Sequence, residues 1–210
     1  MNRTSEYLKE DQLNAISHAL GALFSLVGIF ILVSKNTTKS PYAIFSIGVY
    51  GFTLLLMFLI SALYHHASDV VWKSRWRIMD HICIYLLIAG TYTPLALITL
   101  ERDNGWTIFY TVWGLAGLDT VLKLFYTGKY ETISLSLYVA MGWLIVLDFE
   151  NVLSYTSARG LGLLFAGGIF YTVGILFYAV DRIPYNHFIW HLFVLAGAVS
   201  HWFFIYLDIV

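Results

Sequence analysis

The chain has 210 residues, of which 59% are hydrophobic and only 12% charged, with a mean hydropathy of +0.73. A soluble domain carries about 25% charged residues, so the composition excludes one and describes a membrane protein. The formal net charge of −1 gives no basic footprint for nucleic acid.

Apolar runs of about twenty residues, the length that crosses a bilayer as a helix, fall at about 15–34, 42–66, 78–100, 106–126, 132–149, 160–180 and 187–207. They are continuous and lack the alternation of barrel strands. The expectation is an all-α integral membrane protein, a single domain over 1–210 with seven transmembrane helices. The first run follows a polar, mostly acidic stretch at 5–12 and offers no convincing small-residue cleavage site, so it reads as a span rather than a signal peptide. The lone cysteine, Cys83, cannot form a disulfide within the chain and reads as helix packing.

Placement of Lys and Arg sets the orientation. With the N-terminus inside, the inner segments hold eight: Arg3, Lys9, Lys73, Arg75, Arg77, Lys123, Lys129 and Arg182. The outer segments hold four: Lys35, Lys39, Arg102 and Arg159. The bias predicts a cytoplasmic N-terminus and an extracytoplasmic C-terminus. Short loops leave no room for a catalytic or receptor domain outside the membrane, so any chemistry must lie inside the bundle. Recurrent glycines (Gly114, Gly117, Gly160, Gly162, Gly167, Gly168 and Gly174) suggest close helix packing.

In that orientation the polar residues gather at one level. His18 opens the first span, while Ser61, His65, His66 and Asp69 fall at the inner end of the second. Asp80 and His81 begin the third, Asp119 lies in the inner half of the fourth, and His187 and His191 begin the seventh. Six of seven histidines share that level, and His201 alone lies toward the other face. Ionisable groups in spans are costly and mark functional sites by default. Asp119 and Lys123, four apart, read first as a local pair.

His187 and His191 are also four apart and so share a helical face. Alone, this spacing fits either a metal site or satisfied histidines at a helix end. Ser61, His65 and Asp69 continue the pattern on the second span, with His66 turned about 100° away. If those two spans are neighbours, His65, His187 and His191 supply three nitrogens, an arrangement that catalytic zinc uses with one open position. Asp69 could then serve as base. Asp80 or His81 could orient a ligating histidine. A retinal protein is excluded because the seventh span has no lysine. Haem needs histidines on opposite faces of the macrocycle, which this pair supplies only with His65 or His18 facing it.

Three patches together resemble a known family. They are Asn14-Ala15-Ile16-Ser17-His18; Ser61-x-x-Tyr64-His65-x-x-x-Asp69 with Asp80-His81 and the run from Ile84 to Pro94; and His187-x-x-Trp190-His191 with His201-Trp202-Phe203. The sequence is similar to bacterial hemolysin III proteins of the progestin and adipoQ receptor (PAQR) family. The resemblance implies seven helices and a Zn2+ ion held by His65, His187 and His191 in the inner leaflet. It also implies Asp69 near the metal through water, with Ser61 part of the same motif. Some relatives are linked to ceramide hydrolysis. The expected activity is therefore a zinc-dependent hydrolase of a ceramide-like amide or ester in the bacterial plasma membrane, with membrane lipids as its partners. A non-enzymatic sensor with structural zinc and a pore-forming hemolysin are the alternatives.

Overall fold

In the computed structural model, the described residues are 3–36, 39–127, 129, 131–180 and 182–210, with backbone alone described at 3–6 and 131. They form helices α1 (Arg3–Lys35), α2 (Ala43–His66), α3 (Val70–Pro94), α4 (Gly105–Tyr126), α5 (Glu131–Gly142), α6 (Phe149–Tyr155), α7 (Ala158–Tyr178) and α8 (Asn186–Phe204). Seven helical stretches are long and apolar enough to span a bilayer. The chain is apolar around most of each helix because one side meets protein and the other meets lipid. On α2, for example, Tyr50, Leu54, Met57, Phe58 and Ser61 are buried while Ile44, Phe45, Phe52 and Leu59 are exposed.

α1 packs on both α2 and α8, α2 on α3, α3 on α4 and α5, α5 on α7, and α7 on α8. The spans thus close into a ring, with α4 set against α3. Close contacts rest on small residues. A Cβ at Gly90 would lie 2.0 Å from the Thr53 hydroxyl, and one at Gly174 2.7 Å from the Trp190 ring. The expectation for the other glycines holds in part. Gly160 and Gly167 are tightly approached, but Gly114, Gly117 and Gly162 face open space.

Three departures from regular helix position the bundle. α1 starts at Arg3, well before its apolar run, so a polar extension continues past the expected span. The fifth span is broken: α5 stops at Gly142, a 3-10 turn covers Leu144–Asp148, and α6 completes the crossing. Tyr92 of α3 spans the break, donating to the Gly142 carbonyl at 3.0 Å and accepting from the Ile145 amide at 2.9 Å. At the C-terminal end of α3, Pro94 is followed by a π-helical turn at Leu95–Thr99. Thr91 and Thr93 donate to the carbonyls of Leu87 and Ala89 there, at 2.8 and 2.9 Å, steadying the bend that a helical proline causes.

Candidate metal centre

α1, α2 and α8 meet at the end of the bundle that carries most of the histidines. His65 lies on the last turn of α2, and His187 and His191 on the first two turns of α8. His65 and His191 are buried and His187 is half-buried. Their ring centroids form a near-equilateral triangle: 5.0 Å for His65–His187, 4.8 Å for His65–His191 and 4.9 Å for His187–His191. One ligand atom from each lies within 4.8 Å of the other two. The second and seventh spans, each packed on α1, thus bring these three side chains together at one end of the bundle, as sequence spacing could only assume.

A metal fits this set. The Nε2 of His65 and the Nδ1 of His191 are buried with no hydrogen-bond partner. Such atoms are rare in folded proteins unless something else engages them. Three neutral imidazoles are the donors that Zn2+ accepts, and among the described residues the group includes no carboxylate that would favour harder cations. Haem fits poorly. The imidazoles of His18 and His191 stack face to face, with centroids 3.7 Å apart and planes 17° from parallel, leaving no room for a macrocycle between them.

The stripe expected for Ser61, His65 and Asp69 does not form. It needs α2 to continue through residue 69, but the helix ends at His66 and Ala67 is extended. Asp69 instead caps the start of α3, accepting a hydrogen bond from the Trp72 amide at 2.9 Å, and it is exposed. His66 is exposed too, which leaves His65 as the inward-facing member of the pair.

Ser61 is buried and lines a cavity with His18, Asp80, His81, His187 and His191. The Nδ1 of His81 lies 2.7 Å from the Arg77 carbonyl and is the donor, which leaves Nε2 as the acceptor. Asp119 and Lys123 lie at a separate cavity between α4 and α5. An apolar chamber adjoins the histidine cavity, sharing Met57, Ile84, Tyr138, Trp190 and Val194 with it. It runs to Thr91 and His201, away from the histidine end of the bundle.

Two acidic residues that sequence spacing did not single out also touch the site. Asp11 Oδ1 lies 2.6 Å from His65 Nδ1, and its other oxygen bonds Lys73 Nζ. Glu10 Oε1 accepts from the backbone amides of His187 and Phe188 at 3.0 and 3.2 Å. A signal existed: Asp11, Asn14 and His18 fall at helical spacing along one face of α1.

The fold and the histidine triangle define a multi-pass helical membrane protein with a candidate metal centre inside the bundle. The chain belongs to the Haemolysin-III related family, whose sequence model matches residues 6–202. It is 40% identical to Hemolysin-3 of Bacillus cereus, over 97% of this chain and 93% of that one. It is 38% identical to the Hemolysin-3 homolog of Bacillus subtilis (strain 168), over 93% and 92%. A human relative, Monocyte to macrophage differentiation factor, is 29% identical over 94% of this chain and 83% of its own. No solved structure matches the chain. With relatives of this kind, the seven spans are those of a multi-pass bacterial membrane protein.

Proposed function

We propose that the chain is a zinc-dependent hydrolase of a membrane lipid carrying an amide or ester, such as a ceramide. The observation that carries this reading is the cavity itself. His187 and His191 line a space that also holds Ser61, Asp80 and His81, His65 reaches the same histidine group from an adjoining polar cavity, and an apolar chamber lies alongside. A polar reaction centre beside an apolar compartment within the leaflet suits a lipid that enters laterally.

Zinc bound there would supply Lewis-acid polarisation of a carbonyl and activate water near neutral pH. His65, His187 and His191 would hold it. Ser61 would donate a hydrogen bond to the developing oxyanion. Proton acceptance, expected at Asp69, is better suited to Asp80 or His81, because both line the cavity while Asp69 caps α3.

Two observations weigh against the alternatives. A structural zinc is normally closed by four protein ligands, and among the described residues the group comprises three. For a pore, the outer-half polar groups should face water. Thr91 and His201 instead line a mostly apolar chamber, and with Thr93 they bond the carbonyls of Leu87, Leu164 and Ala89.

The test is lipid cleavage by purified protein in bilayer nanodiscs, against ceramide and phospholipid panels. Fatty-acid release by the wild type that disappears in His191→Ala is the expected result. Stoichiometric zinc with no cleavage of any panel member would overturn the hydrolase reading.

A further inference from the structure

We propose that the polar extension of α1 is part of the metal centre, with Asp11 the positioning residue for His65. The inference rests on the metal reading above and adds a residue outside the three-histidine group.

The argument begins with an imidazole's freedom. A histidine can rotate its ring and offer either nitrogen to a metal, so three histidines on two helices do not alone define a geometry. A carboxylate against one nitrogen removes that ambiguity by fixing both tautomer and ring orientation. At His65 the carboxylate is Asp11, 2.6 Å from Nδ1. Nδ1 then carries the proton, and the nitrogen left to coordinate is Nε2, which is buried and has no other partner.

Asp11 is itself held. Its second oxygen bonds Lys73 on the first turn of α3, so the carboxylate links α1, α2 and α3 at one point. The neighbouring residue acts on the other ligand-bearing helix. Tyr185, at the start of α8, offers no side-chain cap, and Glu10 supplies one from α1 to the amides of His187 and Phe188. Adjacent carboxylates thus hold the two helices that bring the imidazoles together. Further along the same face of α1, His18 stacks on His191. α1 contributes no histidine to the triangle, yet it touches all three of its members.

The experiment is zinc affinity by chelator competition on full-length protein in detergent, with the cobalt(II) absorption spectrum as a second readout. Asp11→Asn keeps shape and removes charge. Asp11→Leu/Lys73→Met replaces both partners, so no lone charge is left buried. Both variants are expected to keep one metal per chain at saturation, to bind about 10- to 100-fold more weakly, and to shift the cobalt spectrum. Lys73→Met alone, which leaves the His65 contact, is expected to stay within about threefold of wild type. Wild-type affinity and an unchanged cobalt spectrum in either folded Asp11 variant would overturn the positioning role while leaving the metal centre intact. A wild type that binds no more metal than His65→Ala would overturn both.

Discussion

His18 and His191, from opposite ends of the sequence, lie face to face with ring centroids 3.7 Å apart, and Phe58 closes the edge of His18 at 5.0 Å. His18 is buried, so its ring acts as a wall behind His191. His18→Ala would leave a cavity there. We expect a loss of about 2–4 kcal/mol of stability, by analogy with large-to-small substitutions in packed cores, measured by unfolding in detergent.

Metal content should follow the triangle and not the doubled histidine. His65→Ala and His191→Ala are expected to lose bound zinc by elemental analysis. His66→Ala, exposed at the end of α2, is expected to keep it.

Removing metal should loosen the bundle, because the ion would link α2 to α8. At free zinc a hundred times the dissociation constant, the bound form gains about 2.7 kcal/mol. Chelation should therefore lower the melting temperature of wild type but leave that of His191→Ala unchanged.

The cap supplied by Glu10 should be visible apart from metal. Glu10→Ala removes an acceptor and a negative charge from the N-terminus of α8. The expected cost is about 1–2 kcal/mol, read as a lower melting temperature in metal-free protein.

Two glycines offer a packing contrast. Gly90→Ala would drive a methyl into Thr53 and should destabilise by about 1–3 kcal/mol. Gly114→Ala meets nothing within 4 Å and should be neutral in the same unfolding assay.

The spans and the candidate ligand histidines were legible because both are periodic: apolar runs of bilayer length, and His187 with His191 one turn apart. Asp69 misled because spacing of four implies a shared face only while one helix continues, and α2 ends at His66. Asp11 and Glu10 lay beyond the apolar run, where hydropathy gives no sign that helix persists. Their partners lie 54 and 177 residues away, a separation that no local pattern reports. Sequence position offers Asp80 as an orienting residue, but only the cavity separates its surroundings from those of Asp69.

α1 is fastened to α8 at one end by Glu10, and at the other Lys35 and, beyond α1, Lys39 reach the carbonyls of Tyr206 and Ile209, the latter at 3.3 Å, in the turn that follows α8. For a ribosome feeding helices into a membrane in order, this sets a sequence of events. α1 and α2 enter early with His65 unaccompanied, and no three-imidazole group exists until α8 arrives and docks against α1. Any metal this group takes up would therefore have to wait until α8 has docked against α1.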